Sequence, residues 1–322
     1  MKATVFLSHL LAGGLLAIST PHATAEVRIG YAPNTFYAPI LVAKQKNWVQ
    51  EELSAVGSTS PTVKWQSFSA GPMMNEAIAA GQLDVIFTGD VPAIIGKSVG
   101  FEISLIGISS SGYRSQAGVV LANSPISSVK DIKGKRVATF KGTTAHHLLV
   151  LALEEAGLKL SDIELVNLTL PDMNNALLRG EIDAAFLWEP LLSKLELDQS
   201  IKVLRDGVGQ KNAIAVIEAT DSFVTKNRNE AKAVLKAFQK GAELIRRDPD
   251  AAAHLIAAEL NQPEAIIRHS LDKFTYGPAF SKEIMDALSS TETFLREQNL
   301  MRSPVDINRF ADHSLLNELE VK

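Results

Sequence analysis

One pattern occurs twice in this chain, and it narrows the fold more than any other feature. Ala77-Ile78-Ala79-Ala80-Gly81-Gln82-Leu83-Asp84-Val85-Ile86-Phe87 is echoed by Ala176-Leu177-Leu178-Arg179-Gly180-Glu181-Ile182-Asp183-Ala184-Ala185-Phe186. Each copy reads as a helix end, a glycine suited to a left-handed cap, and an aspartate entering an apolar strand. The register continues, because Asp90 and Pro92 close one copy while Glu189 and Pro190 close the other. Two readings follow. The echo is either a common helix–glycine–strand junction used twice, or the mark of two α/β lobes of similar design. On the second reading each lobe presents an acidic residue where its strand ends. Ligands of open α/β sheets bind at the carboxyl ends of strands.

The rest of the chain fits the two-lobe reading. Strand-like stretches over 27–31, 62–67 and 85–88 alternate with helical ones over 39–49 and 73–80, and Pro92 opens another helix. Such alternation predicts mostly parallel sheets with helices on both faces. After Ser222 the pattern becomes helical, over 229–247, 250–260, 263–274 and 281–298. This tail is expected to lack strands and to pack on the first lobe, which makes that lobe discontinuous in sequence.

The amino terminus carries a leader signature. Lys2 precedes an uncharged apolar run to Ile18, and Ala23-Thr24-Ala25 supplies the small residues of a signal-peptidase site. The expectation is a signal peptide over 1–25, a mature chain beginning at Glu26, and no membrane insertion after cleavage. The chain has no cysteine, so neither disulfides nor a cysteine-linked lipid is available to it. A freely diffusing product suits the periplasm. The formal net charge of −4 comes with no basic stripe, which argues against nucleic acid as a partner.

Catalytic signatures are missing. Gly142-Thr143-Thr144 lacks the lysine of a phosphate-binding loop, and Gly207-Val208-Gly209 lacks the third glycine of a dinucleotide fingerprint. No G-x-S-x-G or H-E-x-x-H occurs. His146 and His147 are neighbours on a predicted helix, so their side chains diverge by about 100° and cannot chelate one metal together. Met73-Met74 reads as core filling. Neither an enzyme, a metal site nor a cofactor is expected.

A binding site is better supported. A strand over 136–140, the turn Lys141-Gly142-Thr143-Thr144 and an amphipathic helix over 146–155 follow one another. A helix amino terminus exposes unpaired N–H groups and about half a positive charge, and so attracts anions. Gly142 permits close approach, and the hydroxyls of Thr143 and Thr144 are expected to donate. Thr144 also reads as the N-cap of its own helix.

Several segments resemble the aliphatic sulfonate-binding proteins of bacterial ABC importers, and equally their taurine-binding members. They are Phe68-Ser69-Ala70-Gly71-Pro72, Thr88-Gly89-Asp90-Val91-Pro92, Ser124-Pro125-Ile126, Asp131 to Ala138, Gly142-Thr143-Thr144-Ala145-His146, Val166-Asn167-Leu168, and Trp188 with Pro190. The likeness runs over nearly the whole mature chain. It implies a periplasmic binding protein of the second structural type, with two α/β lobes joined by strands crossing near 112–118 and 213–219. Lobe 1 would comprise 26–115 and 217–322, and lobe 2 would comprise 116–216.

The resemblance also implies a site. Gly142, Thr143, Thr144 and His146 would hold an anionic head, with Asn34, Thr35 and Phe36 on the opposite wall and Asp90, Trp188 and Glu189 completing the pocket. The implied partners are a small organic sulfonate and an ABC permease. Taurine-like ligands are favoured if Asp90 and Glu189 both face the cleft, because two carboxylates beside an anion call for a cation between them. The alternative is that Asp90 caps its helix while Glu189 pairs with a lysine or arginine across the cleft. The loop Ala32-Pro33-Asn34-Thr35-Phe36 lacks the glutamine common in sulfonate binders, so a sulfate ester, nitrate or thiamine precursor stays open as ligand. A pyrimidine-precursor synthase shares the resemblance, but such enzymes are cytoplasmic and carry an active-site cysteine.

Overall fold

Glu26–Tyr31 forms β1 of a computed structural model that describes residues 26–58 and 60–320. The expected signal peptide lies outside the described residues. The remaining strands are β2 (Thr62–Ser67), β3 (Val85–Gly89), β4 (Ile103–Gly112), β5 (Gln116–Leu121), β6 (Arg136–Thr139), β7 (Glu164–Asn167), β8 (Ala184–Trp188), β9 (Ile201–Asp206), β10 (Ala213–Thr220) and β11 (Thr275–Tyr276). They form two sheets, ordered β11-β4-β10-β3-β1-β2 and β7-β6-β8-β5-β9. β1 runs parallel to β2 and β3, and β6 parallel to β7 and β8, with helices as the crossovers. The fold is therefore the two-lobed α/β arrangement expected from the sequence.

The repeated pattern has a shared hydrogen-bond scheme. Gly81 and Gly180 follow the helices Gly71–Ala79 and Leu170–Leu178 with φ of 67° and 69°. An L side chain rarely adopts that backbone, which is why glycine stands there. Asp84 Oδ2 then accepts from the Arg28 backbone N–H at 2.8 Å, and Asp183 Oδ2 accepts from that of Arg136 at the same distance. The guanidinium of Arg28 also donates to the Gly81 carbonyl, and that of Arg136 to Gly180. Each aspartate thus ties its strand entry to the neighbouring parallel strand.

The chain leaves the first sheet at Gly112 and enters the second at Gln116; it leaves the second at Asp206 and returns at Ala213. The return crossing is therefore 207–212. The stretch 213–219, expected to cross, is instead part of β10, antiparallel to both β3 and β4. β10 also buries Glu218 opposite Ile86 and Leu105, with neither carboxylate oxygen partnered among the described residues.

The tail helices are Arg228–Arg247, Pro249–Leu260, Glu264–Leu271 and Lys282–Glu297. Arg228–Arg247 packs on Ala38–Gln45 and sets Phe238 against Phe87 of β3. Two expectations are corrected here. The tail does contain a strand, β11, which pairs with β4, and it also touches the second half of the molecule. Glu264–Leu271 packs on Leu191–Leu197, and the rings of His147 and Phe294 stack 3.6 Å apart. In addition, the helix expected over 39–49 is two helices, Ala38–Gln45 and Trp48–Ala55. Asn47 between them takes a left-handed φ of 56°, which an α-helix does not accommodate.

Candidate ligand-binding site

Two connected chambers lie between the sheets, where the strand ends of both meet. The inner one, about 50 Å³, takes Ala32, Asn34, Phe36, Tyr37, the turn Ser69-Ala70-Gly71, Gly89 and Pro92 from the first half. The second half contributes Gln116, Thr143, Thr144, Ala145 and Trp188. No charged side chain lines it.

Its polarity comes from backbone and amide dipoles. The helix Thr144–Glu155 starts at the chamber wall, and Thr143 is its N-cap, accepting from the His146 N–H. Among the described residues the N–H groups of Thr144 and Ala145 find no acceptor. From the other side comes the helix Gly71–Ala79, whose N-cap Ala70 has no polar side chain to offer. Gln116 is the second independent sign of a ligand. It is 1 % exposed, lines the chamber, and neither its amide nitrogen nor its amide oxygen has a hydrogen-bond partner among the described residues. A buried amide left unpaired costs about 1–3 kcal/mol, which a bound acceptor would relieve. Tyr37 adds a phenol whose pKa burial pushes well above its usual value, so it stays a neutral O–H.

Of the residues singled out in the sequence, Asn34, Phe36, Thr143, Thr144 and Trp188 line this chamber. Asn34 caps a short turn by accepting from the Phe36 N–H at 3.1 Å. The expected hydroxyl donors are already committed, however. Thr143 donates to the Phe140 carbonyl at 2.7 Å, and Thr144 donates to Asp90 Oδ1 at 2.9 Å. Thr144 is not the N-cap either; that position is Thr143.

The remaining five stand behind the walls. Thr35 is fully buried and shares a hydrogen bond with Ser270. Gly142 holds a φ of 78° at the turn and donates its N–H to His146 Nδ1 at 3.4 Å. His146 is buried, and burial first, then the charge of Lys141, lowers its pKa to about 4. It is therefore a neutral residue bracing the turn rather than a cation beside an anion.

Asp90 and Glu189 require the largest correction. Both are 0 % exposed and line neither chamber. Asp90 Oδ2 receives Lys211 at 2.5 Å and Thr291 at 2.9 Å, while Oδ1 receives Val91 N–H and Thr144. Glu189 receives Lys273 at 2.5 Å and the Ser193 N–H at 3.2 Å. Each carboxylate is already neutralised by a lysine from a distant part of the chain, so neither can read a ligand cation. This matches the alternative for Glu189, a lysine across the cleft.

The outer chamber, about 410 Å³, shares Ala32, Asn34, Ser69 and Trp188 with the inner one. It opens between the loop after β1, the helix Leu170–Leu178, the start of Leu191–Leu197, and Leu260 with Gln262. A charge-neutral inner chamber of hydrogen-bond donors with a roomier outer chamber suits a small anionic head carrying a tail.

Comparison with known proteins agrees with this architecture. An aliphatic sulfonates-binding protein of Escherichia coli K12 is 30 % identical over 93 % of this chain and 94 % of its own length. The taurine-binding periplasmic protein of the same organism is 30 % identical over 74 % of this chain and 71 % of its own. Among solved structures, the alkanesulfonate-binding protein SsuA from Xanthomonas axonopodis pv. citri superposes with a TM-score of 0.80. That match covers 90 % of this chain and 99 % of SsuA at 24 % identity, a likeness of fold. The family profile described as NMT1/THI5 like matches residues 34–252, from the loop after the first strand into the helical tail, and the chain belongs to that family.

Proposed function

We propose that this chain is the periplasmic solute-binding component of an ABC importer and that it captures an organic sulfonate between its two halves. The observation that carries this reading is the inner chamber. There the free N–H groups of Thr144 and Ala145 and the unpaired amide of Gln116 converge with no charged side chain. A permanent anion with three acceptor oxygens answers that arrangement, because helix-terminal N–H groups bind anions without a full counter-charge. Sulfonate binding by the Escherichia coli relatives supports the choice of head group.

Taurine is not favoured on this reading. The amine of taurine needs an acceptor or an anion, and the two carboxylates nearest the strand ends, Asp90 and Glu189, are held by Lys211 and Lys273. Plain alkanesulfonates are therefore expected to bind at least as well. Residues 26–112 with 213–320, which carry the first sheet, and residues 116–206, which carry the second, are proposed as the two lobes that close on the ligand. A cleaved leader over 1–25 would deliver the chain to the periplasm, and a membrane permease would receive the loaded protein. Isothermal calorimetry with ethanesulfonate, taurine, sulfate and nitrate tests the reading. Saturable binding of ethanesulfonate, with sulfate and nitrate at least tenfold weaker, is the expected result. Tight nitrate or sulfate binding with no response to ethanesulfonate would overturn it.

A further inference from the structure

The outer chamber has a composition that a simple hydrocarbon tail does not explain. Leu170, Leu191 and Leu260 make its walls apolar, yet the amides of Asn174, Asn175 and Gln262 face it, and so does Lys194. No acidic residue lines it. Lys194 is half-buried and has no carboxylate partner among the described residues, although acids are close by in sequence. Glu189 and Glu196, which flank it, are both taken by Lys273.

An alkyl tail would cover the leucines but leave the ammonium facing an apolar ligand. A cationic tail would be repelled by it. An anion at the far end of a short apolar spacer satisfies both the leucines and the lysine, because an ion pair at a partly desolvated rim gains more than one in open water. We propose that Lys194 is a second anchor, and that the preferred ligands are dianions. Such a ligand carries a sulfonate for the inner chamber, a short carbon chain, and a carboxylate or second sulfonate for Lys194. This inference rests on the sulfonate reading of the inner chamber and names the substrate class within it.

Calorimetry at low ionic strength on the full mature chain tests it, with propane-1-sulfonate as the monoanion and ω-sulfocarboxylates of two to four carbons as the dianions. The best-fitting sulfocarboxylate is expected to bind about tenfold more tightly than propane-1-sulfonate, an advantage that shrinks as salt is added. In Lys194→Gln the ratio should fall towards one, and in Lys194→Arg it should persist. If propane-1-sulfonate binds and no sulfocarboxylate exceeds it, or if the ratio survives in Lys194→Gln, the second anchor is wrong while the sulfonate reading stands. If neither compound binds the wild-type chain, the sulfonate reading itself falls and takes the anchor with it.

Discussion

Glu189 and Lys273 lie 2.5 Å apart, the carboxylate just after the end of β8 and the ammonium between the tail helix Glu264–Leu271 and β11. Asp90, at the equivalent strand end of the first sheet, holds Lys211 of the return crossing in the same way. Each carboxylate therefore ties one half of the molecule to chain associated with the other. Because Glu189 is fully buried and Lys273 nearly so, removing one partner strands an uncompensated charge, at a cost of about 3–5 kcal/mol. Lys273→Met is expected to lose about that much stability in denaturant unfolding, and Glu189→Gln less, since the amide still accepts from Lys273 and Ser193.

Gln116 should matter more to ligand than Thr144. Losing a hydrogen bond to a charged group costs about 1.5–3 kcal/mol, so Gln116→Ala should weaken ethanesulfonate roughly ten- to a hundredfold. Thr144→Ala should change affinity much less, since its hydroxyl donates to Asp90 and its N–H is retained. Calorimetry on both variants checks the order; a larger loss in Thr144→Ala would show that the hydroxyl turns to the ligand.

Glu218 gives stability a pH dependence. Burial raises its pKa to about 8, with only the charge of Lys97 opposing. A folded pKa above the unfolded one means that the stabilising contribution is complete below the unfolded value and is lost as pH rises through the folded one. Between about pH 4.3 and pH 8 this group alone should remove roughly 1.4 kcal/mol per pH unit. Denaturation curves of wild type and Glu218→Gln should thus diverge with rising pH, the variant gaining on the wild type. Parallel curves from pH 5 to pH 8 would contradict a protonated Glu218.

His146 should leave binding indifferent to pH. With its pKa lowered to about 4, its charge does not change across the neutral range. Affinity for ethanesulfonate should be level between about pH 5.5 and pH 8. A rise in affinity on acidification that vanishes in His146→Gln would instead make the imidazolium a ligand contact.

The fold was legible where local rules decide it. The echoed glycine and aspartate predicted two lobes because both serve local needs, a left-handed cap and a hydrogen bond to the adjacent strand. Asn47 was readable in principle, as asparagine is the non-glycine residue that tolerates left-handed backbone best, while β11 is two residues long and leaves no periodicity. The site was legible only in part. The turn at Gly142 to Thr144 followed from its chemistry, but Asp90 and Glu189 find their lysines 121 and 84 residues away, beyond any spacing rule. Gln116 did leave a signal, a single amide heading the otherwise apolar strand Gln116–Leu121, which is where a buried polar group without a structural need would stand.

The position of β10 has a consequence for how the molecule is assembled. The second sheet is contiguous, with every strand drawn from 116–206, so its contacts are comparatively local and it can close as soon as that stretch is available. The first sheet cannot. β3 and β4 are separated by β10, which arrives more than a hundred residues after either, so both wait with open edges while the second half of the chain is completed. High sequence separation slows pairing, and unpaired edges invite association with other chains. The strand that completes the first half is thus expected to be the slow step of folding, and mutations in β10 should lower yield and raise aggregation before they weaken binding.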